Sequence, residues 1–243
     1  MRKYFTWIPN FITTLNLICG CLAIVSAFNQ LLHVAAILIF IASVFDFLDG
    51  MSARALKAYT QIGKQLDSLA DLISFGLAPA IIIFQVLSDF ANSAEFPVDN
   101  VHITGFFPYI AFIIVVFSAL RLAKFNIDER QTSSFIGLPT PANALFIASI
   151  ILLHEYRGLN INLFLLTGVV VFMAFLLVAE LPMFSLKFTN LKIKGNETRF
   201  LFLGLSLLLL IVLKIYALPA IILLYIVLSI ILIFVKHLKQ SKL

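Results

Sequence analysis

Long apolar runs are the feature of this sequence that most constrains its fold. A transmembrane helix needs about 20 consecutive apolar residues, and runs of that order recur from one end of the chain to the other. Of the 243 residues, 62% are hydrophobic and only 12% are charged. A soluble domain is about half apolar and about a quarter charged. The sequence therefore predicts an all-α fold, a polytopic bundle of membrane helices.

We interpret eight segments as transmembrane helices. The fifth is short and begins with prolines, and the last two are separated only by a turn near residues 217–219, so seven spans, or six with re-entrant pieces, are the alternatives. The predicted spans are residues 11–29, 31–53, 66–88, 106–126, 139–153, 161–183, 200–215 and 217–236. We expect one membrane domain over residues 1–243, with the catalytic part at about 9–183 and a C-terminal helical pair at 184–243.

The basic residues predict the orientation in the membrane. An even number of crossings that starts in the cytoplasm places every Lys and Arg on the cytoplasmic side except Arg157 and Lys214. Such a bias is the positive-inside pattern of membrane proteins. We therefore expect both termini in the cytoplasm, in the cell (inner) membrane. The net charge of +5 suits anionic lipid headgroups, and no nucleic-acid partner is needed to explain it.

Four carboxylates are concentrated in one stretch of a chain that has only 12 acids. The stretch reads Asp46-x2-Asp49-Gly50-x2-Ala53-Arg54-x8-Gly63-x3-Asp67-x3-Asp71. Residues three or four apart share a helix face, so the part up to Ala53 forms one acidic stripe and the part from Gly63 onward forms another. Each stripe sets carboxylates beside residues with little or no side chain. A bulky ligand can therefore approach the backbone while its charged part reaches the acids.

The type of ligand atom predicts the metal. Carboxylates without thiols or imidazoles nearby are hard oxygen donors, which favour Mg²⁺ or Mn²⁺, with Ca²⁺ able to substitute, over zinc or copper. Four acids suffice for two divalent ions about 4 Å apart, an arrangement that stabilises the attacking and leaving oxygens in displacement at phosphorus. A carboxylate that is not fully committed to metal can take the proton of an attacking hydroxyl. The residues alone favour chemistry at phosphorus.

Further polar residues flank the acidic stretch. Asn10, Thr13 and Asn16 form a polar stripe at the cytoplasmic end of the first span, where polar groups are costly against lipid. Their spacing allows hydrogen bonds between helices or contact with a ligand. Arg54 and Thr60 could each reach an anionic ligand held by the acids, and the alternatives are a cation at a helix end and a capping hydroxyl.

Charged residues and prolines also mark the ends of later spans. Arg121 and Lys124 share a helix face and could hold a phosphate or a carboxylate, or extend toward lipid headgroups. Pro139 and Pro141 fix the geometry with which the fifth span begins and leave backbone carbonyls without helical partners. Glu180 is an intramembrane acid near the inner end of the sixth span. It is a candidate site residue, and the alternative, which we favour, is that it pairs with a neighbouring base.

The acidic stretch resembles the signature of the CDP-alcohol phosphatidyltransferases at all eight fixed positions. The resemblance implies a membrane enzyme that moves a phosphatidyl-type group from a CDP-linked lipid to an alcohol and releases CMP. It also implies that Asp46, Asp49 and Asp67 ligate metal, with Asp71 as a shared ligand and the catalytic proton acceptor. The predicted CDP-lipid site consists of Asn10, Thr13, Gly50, Ala53, Arg54, Thr60 and Gly63.

Three further motifs resemble those of integral-membrane phosphatidylserine synthases within this family. They are Pro9-Asn10-x2-Thr13-x2-Asn16, Arg121-Leu-Ala-Lys-Phe-Asn126 and Phe135-x-Gly-Leu-Pro-x-Pro-Ala. The resemblance covers roughly residues 9–145 and implies transfer from CDP-diacylglycerol to L-serine, which gives phosphatidylserine and CMP. We expect an acceptor site, in which Arg121 pairs with the serine carboxylate, formed by Arg121, Lys124, Asn126, Pro139 and Pro141. We also expect a homodimer among membrane lipids, with the active site facing the cytoplasm.

Two alternative functions remain open. A sister enzyme could use glycerol 3-phosphate or inositol as the acceptor, although a phosphate-bearing acceptor would call for a second cluster of bases beside the site. A cation transporter could bind its transported ion with the same acids. Against a transporter, the predicted acids lie at the cytoplasmic edge of the membrane rather than at its middle between repeated halves.

Overall fold

The computed structural model describes residues 7–91, 105–128, 134–159, 162–184 and 195–240. Within these ranges the chain is almost entirely helical, which confirms the predicted all-α membrane class. A short antiparallel ribbon of two strands is the exception in the described part.

The amino-terminal half contains two long helices, a third helical stretch that a π-helix interrupts, and a fourth helix. Its elements are α1 (Trp7–Phe28), α2 (Leu32–Leu56), α3 (Gln61–Asp71), a π-helix (Leu72–Leu77), α4 (Ala78–Ala91), a 3₁₀ segment (Phe107–Phe112) and α5 (Ile113–Ile127).

The carboxyl-terminal half contains four more helices and the ribbon. Its elements are β1 (Ser134–Ile136), α6 (Thr140–Arg157), α7 (Leu163–Val178), β2 (Pro182–Phe184), α8 (Glu197–Leu213), a 3₁₀ turn (Lys214–Tyr216) and α9 (Ala217–Gln240). In the ribbon, Ser134 lies opposite Phe184 and Ile136 lies opposite Pro182.

Five helical stretches of the described chain are long and apolar enough to cross a bilayer. They are Trp7–Phe28, Leu32–Leu56, Gln61–Ala91, Phe107–Ile127 and Glu197–Phe234, and α7 is a shorter apolar helix. The last stretch contains α8 and α9, which pack on one another after a break at Lys214, where φ is +52°. The turn predicted at residues 217–219 thus lies at Lys214–Tyr216. Eight spans and cytoplasmic termini stay predictions.

Small side chains bring the first two helices close together. Ala23 and Ala27 of α1, with Ala35 and Ala36 of α2, are fully buried in one apolar cluster that continues into α4 and α6. Alanine side chains are small enough to let two helix backbones approach closely, and membrane helices associate through such van der Waals packing. The close pairing of α1 and α2 brings the polar stripe of the first helix beside the acids of the second.

A tight connection joins α2 to α3. Lys57 adopts the left-handed conformation with φ of +51°, and the Ala58 amide bonds to the Ala53 carbonyl at 3.0 Å. The Thr60 side chain then accepts a 2.9 Å hydrogen bond from the Gly63 amide and caps α3. The capping alternative for Thr60 is therefore the one observed, and the short turn sets the acidic ends of α2 and α3 side by side.

Candidate active site

Carboxylates from both predicted acidic stripes converge. One oxygen from each of Asp46, Asp49 and Asp67 lies within 4.8 Å of the others. Asp49 is buried, whereas Asp46 and Asp67 are half-buried. Helix α2 contributes the first two acids and α3 contributes the third. Three converging hard oxygen donors fit a divalent cation of the Mg²⁺ or Mn²⁺ type, so the donor set suits the predicted metal.

Asp71 lies beside this triad but is not part of the close group. It is the last residue of α3 and only 8% exposed. Its carboxylate interacts electrostatically with Asp46 and Asp67 and accepts a long, 3.4 Å hydrogen bond from the Asn16 amide. Metal ligation by Asp71 stays a prediction, while its place next to the triad suits a group that accepts a proton there.

The π-helix that follows Asp71 packs directly on α1. Ser74 donates a 3.0 Å hydrogen bond to the Asn16 carbonyl. A Cβ on Gly20 would lie 2.8 Å from the Ser74 Cα, so only glycine allows this approach. Single π-turns change the direction of the side chains around them and are frequent at functional sites. Here the π-helix holds Asn16 against Asp71.

The polar stripe of α1 faces the acids rather than lipid. The Thr13 hydroxyl lies 2.6 Å from a carboxylate oxygen of Asp49 and donates to it. Both side chains are buried. The hydrogen bond between helices, one of the two alternatives for this stripe, is therefore formed at Thr13. Ligand contact by Thr13 stays a prediction.

The two glycines of the acidic stretch have different surroundings. A Cβ on Gly50 would meet, apart from its own helix backbone, only the Arg54 Nη1 at 3.4 Å. A Cβ on Gly63 would lie 2.8 Å from the Asn10 Oδ1 and 2.9 Å from the Thr60 Oγ1. The space at Gly50 is therefore open to a ligand, whereas the space at Gly63 is occupied by protein. Arg54 is exposed and Ala53 is half-buried.

Arg121 of α5 brings a cation to the acidic cluster. It is 6% exposed, and its Nη1 donates a 2.8 Å hydrogen bond to the Thr140 Oγ1. Its charge interacts with those of Asp71 and Asp46, and its Nε has no partner among the described residues. Thr140 was not among the predicted site residues, although its position between Pro139 and Pro141 at a helix start was a usable signal.

Arg121 also lines a cavity of about 310 Å³. Its walls come from the end of α5, from β1 and from the residues around the end of α7, and they carry charged groups of both signs. The lining residues are Arg121, Lys124, Ile127, Asp128, Ile136, Leu177, Val178 and Glu180. Of the predicted acceptor residues, Arg121 and Lys124 thus line one cavity.

The other predicted acceptor residues lie elsewhere. The Asn126 amide donates to the Ser68 hydroxyl at 2.9 Å, and its carbonyl accepts from Lys64 at 2.9 Å, so Asn126 faces α3. Pro139 and Pro141 begin α6 and do not line the cavity. Their roles toward an acceptor stay predictions. The ion pair expected for Glu180 is not formed within the described part of the chain.

Similar proteins agree on one enzyme family. A CDP-diacylglycerol–serine O-phosphatidyltransferase of Bacillus subtilis is 38% identical over 135 residues, which are 56% of this chain and 70% of that protein. One from Helicobacter pylori is 32% identical over 193 residues, 76% of each chain. The archaetidylserine synthase of Methanothermobacter thermautotrophicus is 35% identical over 158 residues, 64% of this chain and 62% of its own length.

The family model described as CDP-alcohol phosphatidyltransferase matches residues 6–180. The matched region includes the carboxylate triad, Asp71 and Arg121, together with the cavity that Arg121 lines. Since the match extends over most of the sequence and contains the whole site, this chain belongs to the CDP-alcohol phosphatidyltransferase family.

Proposed function

We propose that this protein transfers the phosphatidyl group of CDP-diacylglycerol to the hydroxyl of L-serine and releases CMP. The position of Arg121 carries the proposal, because this buried cation interacts with Asp71 and also lines a cavity. An acceptor whose carboxylate pairs with Arg121 would have its hydroxyl close to a carboxylate base. The names of the Bacillus and Helicobacter relatives support serine as that acceptor.

The acidic cluster would hold the metal. Asp46, Asp49 and Asp67 offer oxygens within 4.8 Å of one another, and we propose a pair of Mg²⁺ or Mn²⁺ ions with Asp71 as a shared ligand and Ca²⁺ able to substitute. Bound divalent metal neutralises charge on the diphosphate and on the departing CMP. The hydrogen bond from Thr13 to Asp49 keeps one ligand oriented whether or not substrate is present.

In the proposed reaction, the protein positions two substrates and moves one proton. The serine hydroxyl attacks the phosphorus nearer the lipid, its oxygen forms the new phosphodiester bond, and the bond from that phosphorus to CMP breaks. Asp71 accepts the hydroxyl proton, because among the acids of the cluster it has the strongest charge interaction with Arg121. Arg121 holds the acceptor carboxylate, and Lys124 adds a second positive charge to the same cavity.

The CDP end of the lipid would lie along α2 and the start of α3. The open side of Gly50 leaves room for cytidine beside Ala53, and the exposed Arg54 can reach the diphosphate. Asn10, Thr13, Thr60 and Gly63 complete the proposed CDP-lipid site. Gly63 acts there by allowing Asn10 and Thr60 to approach α3.

The positive-inside distribution of Lys and Arg supports a location in the cell (inner) membrane with the site facing the cytoplasm. The charged acceptor and CMP are both water-soluble, so a site at that surface has access to both. We further propose that the enzyme works as a homodimer.

Acceptor competition tests the proposed function. Purified protein in detergent receives CDP-diacylglycerol with L-serine, glycerol 3-phosphate or inositol, and CMP and the lipid product are measured with and without EDTA. We expect CMP release with L-serine only, loss of release in EDTA, and recovery with added Mg²⁺ or Mn²⁺. Faster release with one of the other alcohols, or release that persists in EDTA, would contradict the proposal.

A further inference from the structure

Glu180 is an acid in the cavity that the proposed chemistry does not use. The cavity wall carries Arg121 and Lys124 as bases and Asp128 and Glu180 as acids. Its volume of about 310 Å³ is at the small end of the range for ligand pockets. A cavity of this size with charges of both signs suits a small zwitterion better than a polyanion.

The carboxylate of Glu180 is available to a ligand. Its side chain is exposed and forms neither a hydrogen bond nor an ion pair with the residues that the structure describes. Asp128, the other acid in the cavity, already has an interaction partner. Of the two acids, Glu180 is therefore the one with unused capacity to accept hydrogen bonds from a cation.

The end of α7 adds negative potential to the same wall. Leu177 and Val178, the last residues of α7, line the cavity, and the carboxyl end of a helix carries a partial negative charge that favours cations. Glu180 follows two residues after that end. An ammonium group placed here would interact favourably with both the side chain and the helix terminus.

The chain before α6 holds this wall in place. The Leu138 amide bonds to the Leu176 carbonyl at 2.8 Å, and the Gly137 amide bonds to the Leu181 carbonyl at 2.9 Å. Gly137 has a φ of +79°, and a Cβ there would lie 2.3 Å from the Leu177 carbonyl oxygen. Only glycine therefore permits this contact, which fixes the segment that carries Glu180 against the chain before α6. Glu180 and Arg121 line the same cavity.

We propose that Glu180 binds the ammonium group of the amino-acid acceptor and makes the enzyme selective for a zwitterion. The inference rests on the proposed function, in which Arg121 binds the acceptor carboxylate. A phosphate-bearing acceptor would place its negative charge against Glu180 and the end of α7, and this repulsion disfavours it. Glu180 thus determines specificity without touching the reacting atoms.

Steady-state kinetics with Glu180→Gln test the inference, because the substitution keeps the size of the side chain and removes its charge. We expect the KM for L-serine to rise about tenfold, as for the loss of one charge-assisted hydrogen bond, with kcat nearly unchanged. L-Glycerate, in which a hydroxyl replaces the ammonium and the reacting hydroxyl is retained, is measured as a competitor of serine by the phosphatidylserine formed. Its inhibition constant should stay unchanged or fall.

Two further variants complete the test. Glu155→Gln removes an acid outside the cavity, whose neighbour is His33 at 3.9 Å, and should leave both constants at wild-type values. Glu180→Asp keeps the charge and should retain most of the affinity for serine. If Glu180→Gln does not fold, Glu180→Ala carries the comparison, because it also removes the charge. It should raise the KM for serine and leave the inhibition constant of L-glycerate unchanged or lower.

The outcomes separate this inference from the proposed function. An unchanged KM for serine, or an equal rise in the serine and glycerate constants, would overturn the role of Glu180 and leave the serine transferase intact. A wild-type enzyme that releases no CMP with serine would overturn both proposals together.

Discussion

Thr13 of α1 and Asp49 of α2 are joined by a 2.6 Å hydrogen bond, in which the threonine hydroxyl donates to the carboxylate. Asp49 is one of the three acids whose oxygens converge, so the first helix orients a candidate metal ligand that belongs to the second. Groups that orient metal ligands in this way commonly contribute a factor of 10 to 100 to metal affinity.

Thr13→Val should weaken metal activation. The variant keeps the shape of the side chain and removes one hydrogen-bond donor from the Asp49 carboxylate, so we expect about tenfold more Mg²⁺ to be needed for half-maximal CMP release. The matched control is Thr14→Val, because the Thr14 hydroxyl bonds only to carbonyls of its own helix, at Asn10 and Phe11. Equal Mg²⁺ requirements in the two variants would remove Thr13 from this role.

Asp71→Asn should separate proton transfer from metal binding. The amide cannot accept the proton of the acceptor hydroxyl, and general-base catalysis contributes about 10² to 10⁴ in rate, so CMP release should fall at least about a hundredfold. Mn²⁺ binding to the triad, followed by electron paramagnetic resonance, should survive. Asp89→Asn, at the far end of α4, serves as the control and should keep wild-type activity. An unaffected rate in Asp71→Asn would show that another group takes the proton.

Gly50→Ala and Gly63→Ala should have different effects, one on substrate binding and the other on stability. The methyl group of Gly63→Ala would lie 2.8 Å from the Asn10 Oδ1 and 2.9 Å from the Thr60 Oγ1 and would disturb the Thr60 cap of α3, so the Tm of the purified protein should fall. Gly50→Ala meets only the tip of Arg54 at 3.4 Å and gains about 0.5–1 kcal/mol of helix propensity. We expect its Tm to hold while the KM for CDP-diacylglycerol rises. The reverse pattern would exclude cytidine from the Gly50 side.

Arg121→Lys should weaken serine binding although it keeps the charge. Lysine lacks the planar fork that lets Arg121 bond to Thr140 and to a carboxylate at the same time. We expect the KM for L-serine to rise about tenfold. Arg157→Lys, at the end of α6 away from the cavity, is the matched control. If both variants bind serine like the wild type, the acceptor carboxylate lies elsewhere.

Thr140→Val should affect Arg121 indirectly, because it removes the acceptor of an Arg121 hydrogen bond. Removal of the hydroxyl leaves a buried N–H of Arg121 without a partner, which costs about 1–3 kcal/mol. We expect a lower Tm together with a higher KM for serine, and Thr140→Ser should restore both. A lower Tm without a change in KM would show that Thr140 supports folding only.

Local sequence patterns were sufficient to predict the class of fold and the helix faces on which the acids lie. The apolar runs of α1 and α2 indicate membrane helices because hydropathy is a sum over neighbouring residues. The spacing of Asp46, Asp49 and Asp67 places them on helix faces because the helical period is a property of the backbone alone. The prediction for Thr60, which named a capping hydroxyl as one alternative, succeeded for the same reason.

Contacts between distant segments could not be predicted in this way. Spacing alone left it open whether Thr13 contacts another helix or a ligand, and it could not show that the Asn126 amide donates to Ser68 of α3. It paired Glu180 with a base instead of placing it in a cavity. Each of these outcomes depends on how the helices pack against one another.

The sequence by itself determined that this chain lies in a membrane and carries a carboxylate cluster suited to divalent metal, because hydropathy and helical periodicity are encoded over short stretches. Only the tertiary structure decided which groups orient those acids and which cation interacts with Asp71. It also decided that the cavity lined by Arg121 carries an acid as well as bases. Those relationships join residues far apart in the chain, and only the packing of the helices brings them within hydrogen-bonding or electrostatic range.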